Sequence, residues 1–267
     1  MKKYTQLILC AAVTMCCTFL ESCRTVPITG RSQFIMSSPT EENALGLQAF
    51  TQERQKHGQS SNATYNAVLN NCASALIAAS NETSFQWQVA VLNSKEQNAF
   101  CAPGGKIGVY SGIMDIMNNE AELAFVVAHE IGHAIARHYG ERTAWSSIIE
   151  TGGEIIKSIN PESAAAAIYG PAAKLGITLP FSRRNEYEAD EIGLILMARA
   201  GYNPNAAIEF WSRFSDGSSS ASLNPLSGLM RTHPKDADRI NAMREVLPRA
   251  LEEYAKAPVK RGYGTSF

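Results

Sequence analysis

The stretch VVAHEIGHAIARH, residues 126 to 138, sets three histidines and a glutamate into a run that is otherwise almost wholly apolar. With the preceding LAF it reads as an interior helix, and an interior helix cannot leave imidazoles and a carboxylate without partners. His129 and His133 lie four residues apart, about 40° around the helix, so both rings leave one face and reach one ion. Glu130 sits about 100° from His129, where its carboxylate can lean over an open coordination position and take a proton from an attacking water. This is the HExxH pattern, and it points to one zinc ion (Zn2+) per chain. Gly132 gives a close, small position beside the ligands, at a cost in helix propensity.

Two ligands leave a third to be found. His138 is expected to fail, because it lies about 140° from His133 and about 180° from His129 on the same helix, which makes it a surface or capping residue. A histidine six residues after His133 would fall at Tyr139. The stronger candidate is NEYEAD, residues 185 to 190, on a later helix whose continuation IGLILMA marks it as interior. Glu186 and Asp190 share a face there, so Glu186 can ligate the ion while Asp190 holds a ligand histidine by its other ring nitrogen. Glu188 falls on a different face.

Around these two helices, 267 residues with 45% apolar content support one core and one main domain, residues 40–257. A net charge of -1, from 24 basic and 25 acidic residues spread along the chain, gives no basic stripe for nucleic acid. Lys2 and Lys3 precede the apolar run LILCAAVTMCCTFL, an export leader over residues 1–22. LESC, ending at Cys23, resembles the lipobox of bacterial lipoproteins, in which that cysteine carries the lipid; Glu21 is unusual inside such a box. Residues 23–39 read as a tether, residues 258–267 as a polar tail. Cys72 and Cys101 remain after the leader, as a disulfide or as two free thiols. No CxxC pair offers a thiolate zinc site.

Two amphipathic helices are expected between residues 41 and 80, the first starting near Thr40, where Thr40 and Asn43 partly resemble a capping box. Runs at 85–92, 98–102 and 106–110, with Pro103-Gly104-Gly105 as the tightest turn, predict a small antiparallel sheet. A helix should begin at Asn118-Asn119-Glu120. Charges and prolines break every window of residues 144–180 that could span a membrane, leaving one or two packed or mobile helices. A further helix is expected from about Arg184 to Ala200, and two more flank SDGSSSASLNPLSG, a flexible loop. There is no internal repeat.

With HEIGH and NEYEADEIG both in hand, the chain resembles the lipoprotein branch of the HtpX, BepA and LoiP type of zinc metallopeptidases, relatives of the CAAX prenyl endopeptidases and the Oma-like enzymes. VPITGRSQF, NAFCAPGGKIGVYSGIM and THPKDADRI extend the likeness from Val26 to Ile240. The resemblance implies a mainly helical, zincin-like α+β fold with ligands His129, His133 and Glu186, Glu130 as general base and Asp190 behind a ligand. It matches His233 to a histidine that can plug the metal and Arg239 to an arginine near the active site. Either could stabilise the oxyanion. Cys101 departs from the aliphatic residue common among relatives.

The implied activity is peptide hydrolysis on unfolded or misassembled envelope proteins, by a lipid-anchored enzyme at the bacterial outer membrane facing the periplasm. Substrate would pair along an edge strand at Asn98, Ala99, Phe100 and Cys101. A chaperone-like or scaffolding zinc lipoprotein with a plugged site is the rival reading.

Overall fold

The computed structural model describes residues 23–159, 171–215, 229, 233, 237–262 and 266–267. The expected leader, residues 160–170 and nearly all of the serine-rich loop lie outside them. Among the described residues the fold is mainly helical, with two small sheets.

The first described residues, within the stretch read as a tether, form an antiparallel hairpin, β1 (Cys23–Thr25) and β2 (Ser32–Phe34), with Thr25 opposite Ser32. Val26 and Ile35 are buried at its ends. Helix α1 (Pro39–His57) starts from a capping box different from the one expected: Ser38 accepts from the Glu41 amide, and the Glu41 carboxylate accepts from that of Ser38. Pro39, at the first helical position, loses no hydrogen bond there. Helix α2 (Ala63–Ser80) starts at Asn62 and buries Leu69, Cys72, Ala73 and Leu76.

The sheet that follows is mixed, not antiparallel. Strands β3 (Gln88–Leu92), β4 (Ala99–Ala102) and β5 (Lys106–Tyr110) lie in the order β3-β5-β4. β5 runs parallel to β3, with Ala90 opposite Gly108, and antiparallel to β4, with Cys101 opposite Ile107. Every residue of β5 is buried, as a central strand requires, and β4 is left as an edge.

After the short helix α3 (Ser111–Met114), α4 (Glu120–Ile135) begins at Asn119, which accepts from the Glu122 amide. Helix α5 (His138–Ile159) follows after a bend, and α6 (Pro171–Arg199) begins well before the expected Arg184. Helices α7 (Asn205–Ser215) and α8 (Ala237–Lys256) complete the domain. Toward the C-terminus the Arg261 amide donates to the Gly201 carbonyl, and the Phe267 ring packs on Tyr65. No helix among the described residues is long and apolar enough to cross a membrane.

The core is centred on α4, nearly all of it buried between α6, α2 and the sheet. Two glycines set the α4–α6 crossing. A methyl at Gly132 would stand 3.0 Å from the Ala189 carbonyl oxygen, and one at Gly193 would stand 3.0 Å from the His129 nitrogen. The helices therefore touch backbone to backbone, which brings HEIGH against NEYEAD.

Candidate metal centre and active site

At that crossing His129, His133, Glu186 and His233 each present one donor atom, all within 4.8 Å of one another. Nε2 of His129 lies 3.1 Å from Nε2 of His133 and 3.2 Å from Nδ1 of His233. The Glu186 carboxylate lies 3.5, 3.4 and 3.0 Å from His129, His133 and His233. A tetrahedral ion with bonds of about 2.0–2.1 Å separates its ligands by about 3.3–3.4 Å. The separations and the nitrogen and carboxylate donors thus fit zinc.

The outer contacts fix which ring nitrogens face the cluster. Nδ1 of His129 lies 2.9 Å from Asp190, and Arg239 forks onto both Asp190 oxygens at 2.7 Å while approaching Glu186 at 3.2 Å. Arg239 also lies over the Trp211 ring. It stands behind the cluster, on Asp190 and Glu186, and is not among the residues lining the cavity in front of it.

Burial works against every charge here, and the opposite charges win. Burial would raise the Glu186 carboxyl, yet three imidazoles hold it well below the usual range. Burial would lower His233, but Glu130 at 3.1 Å, with Glu186, pushes it up to about 10. Asp190 is held down, against burial, by Arg239 and His129.

Glu130 is buried, with Oε1 facing His233 and Oε2 accepting from the Cys101 amide at 3.1 Å. A cavity of about 490 Å³ opens beside it, with Phe100, Cys101 and Ala102 along one side and His133, Arg137 and His138 along the other. The stretch of β4 that faces this cavity is 100–102. Asn98 and Ala99, expected in the substrate strand, are buried at its far end. Cys72 and Cys101 are free thiols.

His138 is not the surface or capping side chain expected. Helix α4 stops at Ile135, Arg137 takes a left-handed conformation (φ 50°) with its guanidinium on Glu42, and the chain turns. Counting 100° per residue from His133 therefore no longer applies. The turn buries the His138 ring against His133, outside the ligand cluster. The sequence reading missed this contact and the roles of Thr29, Arg31 and Glu188 behind it, although Glu188 was placed on a face apart from Glu186 and TGR was visible in VPITGRSQF.

An HExxH helix crossed by a helix whose glutamate joins the same group of donors, with an edge strand beside the cavity, is the arrangement of a metalloprotease. The chain belongs to peptidase family M48, whose profile matches residues 60–247. It is 31% identical over 232 residues to the mitochondrial metalloendopeptidase OMA1 of Schizosaccharomyces pombe, covering 84% of this chain and 66% of that one. To the beta-barrel assembly-enhancing protease of Escherichia coli it is 27% identical over 258 residues, 91% and 52% of the two chains. The putative beta-barrel assembly-enhancing protease of Vibrio cholerae is 32% identical over 188 residues, 67% and 38%. The chain thus spans between about a third and two thirds of these relatives.

Proposed function

We propose that this chain is a zinc metalloendopeptidase that cleaves unfolded or misassembled proteins of the bacterial cell envelope, held at the outer membrane by a lipid on Cys23. The observation that carries the reading is the bond from the Cys101 amide to Glu130. That amide points away from β5 and into the cavity, so a peptide pairing with the edge of β4 would lie beside Glu130. Main-chain pairing selects extended, exposed segments rather than particular side chains. Quality control fits that selectivity, and two relatives are named for β-barrel assembly.

In this reading His129, His133 and Glu186 hold the ion, while Asp190 and Arg239 keep His129 and Glu186 in place. A bound zinc ion supplies Lewis acidity toward the scissile carbonyl and lowers the pKa of water. Glu130 takes the proton of the water that attacks the carbonyl carbon, then gives it to the leaving nitrogen as the C–N bond breaks. His233, facing Glu130 and the ligands at once, is placed to donate to an oxyanion once it swings off the cluster.

The same position of His233 favours a second reading, a closed centre that binds exposed segments without cutting them, because four protein ligands leave no open corner. One experiment separates the two. An unfolded protein is incubated with the purified chain, with and without a chelator, alongside Glu130→Gln. The wild type should cut in a chelator-sensitive way, and the variant should lose about 10² to 10⁴ of the rate while still holding zinc. Undiminished cleavage by Glu130→Gln excludes the mechanism; binding without cleavage by the wild type favours the closed centre.

A further inference from the structure

The two ligand histidines are supported differently. Behind His129 stands a carboxylate, Asp190. Behind His133 stands a second imidazole: Nδ1 of His133 lies 2.9 Å from Nδ1 of His138, and Nε2 of His138 lies 3.0 Å from Glu188. Glu188 also accepts from the Thr29 hydroxyl at 2.6 Å and from Arg31 Nε at 2.8 Å. The Arg31 guanidinium then forks onto both oxygens of Glu141 at 2.7 Å. Thr29 and Arg31 belong to the turn of the N-terminal hairpin, between β1 and β2.

Counting protons along this line fixes its direction. A carboxylate only accepts, so the His138 proton sits on Nε2, facing Glu188. Nδ1 of His138 is then an acceptor, and the proton between the two rings belongs to Nδ1 of His133. That leaves the lone pair of His133 Nε2 facing Glu186 and the metal position, 3.4 Å from the carboxylate. Without His138 nothing in this line selects that tautomer. His138 and Glu188 are buried, so each depends on its partners in the line, while buried Glu141 has Arg184 at 3.2 Å beside Arg31.

We propose that His138 is a positioning residue of the metal centre, through which the Thr29–Arg31 turn of the N-terminal hairpin orients the ligand His133. This rests on the assignment of His129, His133 and Glu186 as metal ligands. The consequence is that hairpin docking and metal affinity are linked, although the hairpin touches none of the ligands in this line. Residues 23–36 would then belong to the centre and not only to a connection toward Cys23.

The test measures zinc affinity by competition with a chromophoric chelator on the purified full-length chain, and the visible spectrum of the cobalt-substituted protein. His138→Phe keeps a ring in place but offers no acceptor, and should weaken zinc about 10- to 100-fold with an altered cobalt spectrum. His138→Gln presents an amide acceptor and donor in similar positions and should recover most of that loss. Arg31→Met together with Thr29→Val leaves both rings in place and should weaken zinc several-fold.

Metal-free denaturation midpoints, taken in parallel, report folding. Wild-type affinity in folded His138→Phe, or equal losses in the Phe and Gln variants, overturns the proposal. If His138→Phe does not fold, the hairpin variant decides, and unchanged affinity there overturns it. His133→Ala serves as the reference: if it binds zinc as the wild type does, the metal-centre assignment itself has failed, a different outcome from failure of the relay.

Discussion

Gly193 is the point at which the two halves of the site are held at their distance, and Gly193→Ala tests that directly. The added methyl would stand 3.0 Å from the His129 nitrogen, 3.2 Å from its Cα and 3.3 Å from the Ala128 carbonyl carbon, where ordinary contact begins at 3.4 Å. All three atoms are backbone of a buried helix, so no side chain can swing aside. The helices must part by about 0.4 Å, and because Glu186 and Asp190 ride on α6 while His129 and His133 ride on α4, the gap opens between the ligands themselves. Zinc sites hold their distances to within about 0.2 Å, so the displacement is about twice the tolerance.

Overpacking costs about 1–3 kcal/mol, and replacing a mid-helix glycine returns up to about 1 kcal/mol, so the net loss of stability should be about 0–3 kcal/mol. Zinc affinity should fall at least about tenfold. The assay pairs chelator competition with a denaturant midpoint on the metal-free protein, and the expected signature is a large metal effect beside a small folding effect. A Gly193→Ala chain with the wild-type zinc dissociation constant would refute the claim that this crossing sets the ligand geometry.

Asp190→Asn should weaken zinc about 10- to 100-fold, because it removes the carboxylate that orients His129. It should also destabilise the metal-free protein by up to about 3–5 kcal/mol, since buried Arg239 loses the opposing charge of Asp190; a denaturant midpoint within error of wild type would contradict this. Stability of the metal-free protein should fall on both sides of neutrality. Burial holds His138 down to about 4 from an ordinary 6.5, so its contribution is complete above pH 6.5 and is lost as pH falls through 4, on the order of 3 kcal/mol at most. Glu188, held at about 2 despite burial by bonds from His138, Arg31 and Thr29, continues the loss at lower pH. His233, raised to about 10, contributes below pH 6.5, and that contribution is lost as pH rises through 10. Midpoints measured across pH should therefore drop between pH 7 and 4, and His138→Phe should flatten that acid limb; a flat wild-type profile would count against the buried neutral imidazole.

What could be read from the sequence was whatever depends on a helix repeating itself. His129 and His133 share a face because the chain between them is regular, and Glu186 and Asp190 share one for the same reason. The two glycines that let these helices touch were visible, although only Gly132 was read as a close approach. The same rule failed at His138 because a single left-handed residue, Arg137, ended the repeat. The His138 ring lies outside the donor cluster, yet it returned to His133 by a path that no angular count contains. The sheet failed similarly: alternation marks which runs are strands, but β5 comes to lie between β3 and β4 only because its five residues are all buried, a property of the assembled core.

The hairpin is the sharper case. VPITGRSQF has the turn-rich composition of a linker, and nothing local distinguishes an arginine in solvent from Arg31 between two buried carboxylates. Glu188 and Glu141 lie 157 and 110 residues away in the chain. Their need for a cation arises only after α5 and α6 have buried them. A buried carboxylate without a cation is costly, so the partner must be supplied from wherever the chain can reach. Here Arg31, on the segment leading from Cys23, serves Glu188 and shares Glu141 with Arg184, which ties that segment to the charges behind His133.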